Sequence, residues 1–334
     1  MKILRAFLLI LAGLLLPAAA SAECAGRDLL DGLKARDPDA YAALFERGAE
    51  MRHGRGKLWQ VRRGDTPPSV ILGTYHDTGI AEEPLPAAAV HALDTARAVV
   101  VEITPEEQAK LRHRIATDPG FAFDPEGGAW VDELSPEQRA MAEEALARRG
   151  LTLEGVATMR PWMLMSVLGV PQCQLAEMAT GKPVLDALLV QRALDQGTPV
   201  VGLETYDAAI GAFDLIDTDE VQDLAVDMLA QVDEEEDIRA TMAELYRDGA
   251  IGAILEFGIW ASARENDEEK AREIAQIFRD AIITHRNREW MEGLIEELER
   301  GNAFVAFGSL HLIGEEGVLA LLEEEGFEVL RLDG

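Results

Sequence analysis

Apolar and polar positions alternate along the chain in two manners: short apolar runs of strand length cluster towards the two ends, and helix-period stretches fill the middle. Strand-length runs fall at residues 58–61, 69–73, 98–103, 199–203, 304–307 and 328–332. Gly64-Asp65-Thr66-Pro67-Pro68 supplies the turn between the first two. Helical periodicity covers 28–50, a short stretch at 86–96, 186–195 (ended by Gly197) and a long stretch at 267–300. Thr104-Pro105-Glu106-Glu107 and Ser135-Pro136-Glu137-Gln138 open two further helices, with proline in the first turn and an acid or amide at the capping-box position. Gly150 ends the second, and Arg160-Pro161-Trp162-Met163-Leu164-Met165 belongs to an unusually apolar helix expected to be buried. A last helix spans 315–325, between two strands. The pattern predicts an α/β (α+β) fold: a central mixed sheet built from the N- and C-terminal parts, with a large helical insertion at about 105–300. No composition break divides the chain, so residues 23–334 are expected to form a single domain.

Two of the strand-length runs end alike. Val70-Ile71-Leu72-Gly73-Thr74-Tyr75-His76 and Phe304-Val305-Ala306-Phe307-Gly308-Ser309-Leu310-His311 each pass from apolar residues into Gly-x-x-His, in a chain with only six histidines. Two other strand ends deliver Glu102 and Glu204. If these strands are mostly parallel, all four side chains emerge on one edge of the sheet, where open α/β sheets place their ligands. A lone histidine past a strand is commonly a hydrogen-bonded cap, and a strand-end glutamate an N-cap or ion-pair partner. The coincidence of four carries the functional reading. Two imidazoles with one or two carboxylates suit a divalent metal with an open coordination position; without metal, the same groups suit acid–base chemistry on a water or hydroxyl. Arg286 is expected to hold a substrate carboxylate or to pair with a glutamate, and Asn287 lies near the apolar stripe of its helix. Arg160, Tyr246 and Ser309 complete the candidate substrate contacts. Ser309 has no nucleophile elbow around it.

Composition narrows the partners. Lys2 and Arg5 precede an apolar run from Ala6 to Leu16 and then Ala20-Ser21-Ala22, the pattern of a cleaved signal peptide over residues 1–22. The run is too short to span a bilayer, and Glu23 ahead of Cys24 is unsuited to lipidation. A periplasmic or secreted protein without stable membrane insertion is expected, the alternative being an N-terminal anchor. Removing that segment, which holds Lys2, Arg5 and no acid, takes the net charge from −30 to −32, which argues against nucleic acid and anionic lipid as partners. The acidic stretches at 233–237 and 265–269 lack the EF-hand spacing and read as solvated helix ends or loops. Cys24 and Cys173, the only cysteines, are expected to pair in an oxidising compartment.

These motifs, together with Val99-Val100-Val101-Glu102, Leu185-Asp186, Gly202-Leu203-Glu204-Thr205, Arg286-Asn287 and the Gly-Ser-Leu-His-Leu-Ile-Gly core at 308–314, resemble the TraB/GumN family over nearly all of residues 23–334. Animal relatives of that family include the Tiki proteases that cleave Wnt. The resemblance implies a metal-dependent, peptidase-like hydrolase with His76, His311 and Glu102 as metal ligands. The ion would be manganese or cobalt by preference, with zinc or iron as alternatives, and the substrate a peptide or small molecule. The wider fold group is similar to erythromycin esterases and to a haem- or iron-binding lipoprotein, which leaves a metal-free esterase and a non-catalytic haem, metal or small-ligand binder as rivals. Asp77 stands after the first histidine, where a hydrophobic residue is common in the family.

Overall fold

The computed structural model describes residues 24–333; the expected signal peptide lies outside the described residues. Six strands form one sheet: β1 (Leu58–Arg62), β2 (Ser69–Thr74), β3 (Ala98–Val101), β4 (Val200–Gly202), β5 (Ala303–Gly308) and β6 (Glu328–Arg331), in the order β4-β3-β5-β2-β1-β6. β4, β3, β5 and β2 are consecutive parallel neighbours, whereas β1 runs antiparallel to both β2 and β6. β5, from the C-terminal end, thus lies between β2 and β3, and the mixed sheet is built from both ends of the chain, with edge strand β4 contributed from within the largely helical stretch at 105–300. Its central strands read Ala-Val-Val-Val and Ala-Phe-Val-Ala-Phe-Gly because both faces are covered, which removes the polar alternation of a half-exposed strand. β6 is mostly solvent-exposed at the sheet's edge.

The helices explain where the sequence pattern needed correction. The helix expected over 28–50 is two, α1 (Leu29–Arg36) and α2 (Pro38–Glu50). Asp37 ends the first by donating its N–H to the Leu33 carbonyl and starts the second by accepting from the Ala40 N–H. Pro38 has no N–H to continue the ladder and disfavours helical dihedrals at Asp37. Further on come α3 (Gln172–Ala179), α4 (Leu185–Gln196), α5 (Glu235–Arg247) and α6 (Ile251–Ser262). Gly197 ends α4 with φ of 73°, as expected of a left-handed C-cap. The long helix expected over 267–300 is regular only at its ends, α7 (Glu268–Phe278) and α8 (His285–Glu299). Between them Arg279–Thr284 is π-helical and buries three consecutive residues, Ala281, Ile282 and Ile283. Such a widened turn shifts every later residue around the axis, and Arg286 and Asn287 follow it directly. The last helix, α9 (Val318–Glu324), starts later than the pattern suggested.

Cys24 and Cys173 are joined by a disulfide. A large core covers the sheet, and a second cluster packs among the helices between β3 and β5; Leu310, just before His311, touches both. α2 and α6 meet backbone to backbone: a Cβ on Gly48 would stand 2.5 Å from the Ala253 nitrogen, with no flexible side chain to yield. Gly48→Ala is therefore expected to cost about 1–3 kcal/mol despite alanine's better helix propensity. Urea unfolding measures it, and an unchanged midpoint would refute the close packing.

Candidate active site

Parallel pairing aligns the motif-bearing strand ends. Thr74 lies opposite Gly308, and Val101 opposite both Ala306 and Gly202. His76 follows β2, Glu102 follows β3, Glu204 follows β4, and His311 sits in a short 3-10 turn (Ser309–Leu312) after β5. Gly73 lets the two motifs touch: its absent Cβ would stand 2.4 Å from Leu312 Cδ1 and 3.0 Å from Ser309 Cα.

Each imidazole is fixed through Nδ1. His311 Nδ1 lies 2.6 Å from Asn287 Oδ1, while Asn287 Nδ2 donates to the Glu316 carbonyl at 2.7 Å. With its amide group committed there, Asn287 offers an acceptor to the ring, so His311 Nδ1 carries the proton and Nε2 the lone pair. His76 Nδ1 lies 2.9 Å from Asp186 Oδ2, and the other Asp186 oxygen accepts from Thr74 Oγ1 at 2.7 Å. His76 Nε2 is left 4.0 Å from Glu102 Oε1. That same oxygen accepts the Gly308 N–H at 2.7 Å, and Oε2 accepts from Arg286 Nη2 at 2.6 Å. Arg286 also donates from Nε to Glu204 at 3.1 Å, pairs with it through Nη2, and brings Nη1 to 3.5 Å from His311 Nε2. Its guanidinium lies over the Trp290 ring, which in turn packs on His311.

The two histidines are polarised in opposite directions. The Asp186 charge beside His76, which outweighs burial, raises its pKa to about 9. Burial lowers that of His311 to about 3, against the pull of Glu102. Burial alone would raise Glu102, but Arg286, the histidines and the Gly308 N–H hold it well below the usual carboxylate range. At neutral pH the carboxylates of Glu102, Asp186 and Glu204 therefore face two cations, Arg286 and protonated His76, and the cluster keeps one uncompensated negative charge.

That charge and the donor set bear on metal binding. Among the described residues no group of three or more His, Cys, Asp or Glu side chains is spaced to hold an ion as it stands. Yet a Cβ placed on Gly308 would lie 3.5 Å from both Glu102 Oε1 and His76 Nε2 and 3.6 Å from His311 Cδ2. Two donor atoms and the Cδ2 edge of the His311 ring thus lie about one point above a glycine, and both imidazoles are held through Nδ1, as metal-binding histidines are. The chemistry of these residues fits a divalent ion once the Glu102 carboxylate turns from Arg286.

The cluster opens into a cleft of about 520 Å³. His76, Glu102, Arg286, Ser309 and His311 line it. Glu204 and Asn287 stand behind it, holding Arg286 and His311. Tyr246 is not at the cleft surface: its hydroxyl is spent on the Gly73 carbonyl at 2.8 Å, and burial raises its pKa. Arg160 is also elsewhere, at the start of helix Pro161–Leu168 with Nε donating to the Gly120 carbonyl. Sequence reasoning assigned no role to Asp186, which reads as an ordinary acid in a helix's first turn, nor to Gln174 and Arg239 beside His76.

Asn287→Ala is expected to cost about 1–3 kcal/mol by leaving the buried His311 Nδ1–H unpaired, and to weaken any ion at Nε2 roughly 10- to 100-fold. Thermal unfolding and equilibrium dialysis with cobalt measure the two effects. No change in either would remove Asn287 from the site.

Comparison with curated proteins and with solved structures finds no match. The family model described as the TraB/PrgY/gumN family matches residues 57–331, which takes in both Gly-x-x-His motifs and every strand of the sheet, and the chain belongs to that family.

Proposed function

We propose that the protein is a hydrolase of the peptidase type, working in an oxidising periplasmic or extracellular compartment. Its divalent ion, manganese or cobalt by preference, would be held by His76, His311 and Glu102. The observation that carries this reading is the convergence of the three side chains on the empty side of Gly308. Family membership supports it, and the disulfide supports the compartment. When bound there, the ion would supply Lewis acidity towards a carbonyl and ease deprotonation of water. The chain's own groups then do the following. Asp186 and Asn287 hold the two rings with Nε2 facing inwards. Arg286, retained by Glu204, offers N–H donors to charge developing on a substrate oxygen. The cleft, open enough to leave the His76 side chain 58% exposed, receives a peptide or small molecule.

A second reading has its own observation. Arg286 already places a cation on Glu102, and the histidines carry opposite protonation states, with protonated His76 suited to act as an acid. This is metal-free hydrolysis, as of an ester.

Both are tested by stripping the protein with a chelator and reloading it with manganese, cobalt, zinc or iron beside His76→Ala and His311→Ala. Metal content is then read with cleavage of pooled quenched peptides and esters. One ion per chain, lost in both variants with folding intact, and cleavage that follows the ion support the metallohydrolase. Cleavage that persists in chelator supports the second reading. Neither ion nor cleavage, with a haem absorbance band on titration, would make the protein a binder instead.

A further inference from the structure

The loop that carries His76 is flanked by apolar anchors, Tyr75 stacked on Tyr246 and Ile80 in the core, but between them residues 76–79 are held by a polar circuit. Gln174 Nε2 donates to the His76 carbonyl at 2.7 Å, and Gln174 Oε1 accepts from Arg239 Nε at 3.3 Å. Arg239 pairs with Asp77 at 2.5 Å, and Asp77 caps the next turn by accepting from the Gly79 and Ile80 N–H groups at 2.8 and 2.9 Å. Thr78 donates to Glu177. Asp77, Thr78, Gln174 and Glu177 are all buried, so breaking any of these bonds strands a polar group away from water.

Gln174 and Glu177 belong to α3, and α3 has little else to hold it. Its buried residues are Cys173, Gln174 and Glu177, so its inward face carries no buried hydrocarbon side chain. No other described helix or strand packs closely along it. The covalent bond from Cys173 to Cys24 is its one covalent attachment to another element, beside polar bonds such as the Gln172 N–H to Glu235 Oε1 at 2.8 Å. From Cys24 the chain runs along α5, the helix that bears Arg239. Ala25, Arg27 and Leu29 donate their N–H groups to Glu236, Asp237 and Thr241 at 3.0, 2.7 and 2.8 Å, and a Cβ on Gly26 would overlap the Glu236 carbonyl at 1.8 Å. The strap therefore fastens α3 to α5, and these two helices supply the residues that hold the His76 backbone and the turn after it, while Asp186 on α4 holds the ring.

We infer that the Cys24–Cys173 disulfide is a redox-sensitive clamp on one half of the site, with Gln174 and Arg239 as the positioning residues that pass its constraint to His76. A dithiol reductant would take up the bond's oxidation, leaving two cysteine thiols and its own disulfide, and would free α3. The His76 loop then loses its tie, while His311, held by Asn287 on α8, keeps its place. The inference rests on the proposed role of His76 at the site, but its test needs no substrate or ion.

Hydrogen exchange is measured on the oxidised protein, the dithiothreitol-reduced protein, the Cys24→Ala/Cys173→Ala double variant and oxidised Gln174→Ala, with imidazole nitrogen NMR spectra of each. Reduction and the double variant are expected to speed amide exchange at residues 76–80 at least about tenfold, as expected for local opening, and to move the His76 ring resonances. Residues 309–312 and the His311 ring serve as the internal control and stay unchanged. Gln174→Ala, with its disulfide intact, is expected to reproduce the selective effect. Equal acceleration of both loops would show a general staple and overturn the inference, as would no change at 76–80 after reduction. An unaltered 76–80 loop in Gln174→Ala overturns it too. Loss of the proposed hydrolase activity leaves every one of these outcomes readable.

Discussion

Gly308→Ala is expected to abolish ion binding, and with it hydrolysis, while changing stability by less than about 1 kcal/mol. Gly308 has φ of −52° and ψ of 132°, dihedrals that alanine adopts without strain. The new methyl would stand 3.5 Å from Glu102 Oε1 and His76 Nε2, an ordinary van der Waals distance, so the fold can accept it. Ligand bonds to a divalent ion are roughly 2.0–2.3 Å, and a methyl between Glu102 Oε1, His76 Nε2 and the edge of the His311 ring crowds the space where they would form. The same substitution at Gly73 should behave in the opposite way. Its Cβ would stand 2.4 Å from Leu312 Cδ1 and 3.0 Å from Ser309 Cα, which predicts an overpacking cost of about 1–3 kcal/mol. Cobalt titration and thermal unfolding of both variants separate site blocking from destabilisation. A Gly308→Ala protein that binds cobalt as tightly as the parent would move the ion site away from this point.

The doubled Gly-x-x-His and the strand-end glutamates were legible because strand direction makes them so. A buried parallel strand is a continuous apolar run, and the residue that follows it can emerge only at the sheet's C-terminal edge. His76, Glu102, Glu204 and His311 are therefore placed at strand ends by local pattern, and on one edge by the parallel pairing of their strands. Asp186, Gln174 and Arg239 come from helices, and which residue of a helix meets a loop depends on how that helix docks; no spacing in the sequence encodes it. The π-helical stretch is hidden for a similar reason, since its widened turn is stabilised by burial of Ala281, Ile282 and Ile283 rather than by a residue type. Arg160 and Tyr246 show the converse limit of residue type as a guide. Each has chemistry suited to a site, and each spends it on a backbone carbonyl, Gly120 and Gly73. The break at Asp37-Pro38 was readable from proline chemistry, but the apolar period continues across it and masks it.

Arg286→Ala is expected to cost on the order of 3 kcal/mol near pH 8, because it leaves two partly buried carboxylates without their cation. The Glu102 and Glu204 side chains are 16% and 5% exposed, and Arg286 pairs with both. The pH dependence gives the test its sign. In the parent, the Glu102 pKa lies below its ordinary 4.5, so the pairing contributes stability above that value and loses it only as pH falls through the depressed pKa. Without Arg286, burial, the largest influence on this carboxyl, is opposed mainly by the histidines and the Gly308 N–H, and the pKa rises. The native variant then holds a proton that the unfolded chain releases, so its stability recovers relative to the parent's as pH drops from 8 towards 5, while the raised His76 and lowered His311 act in opposite directions in both proteins. Urea unfolding of both proteins at pH 8 and pH 5 reads the difference, and Glu204→Gln in the variant background should restore part of the loss by removing one unpaired charge. A deficit below about 1 kcal/mol, equal at both pH values, would mean that the carboxylates find other partners and that Arg286 does not neutralise the site.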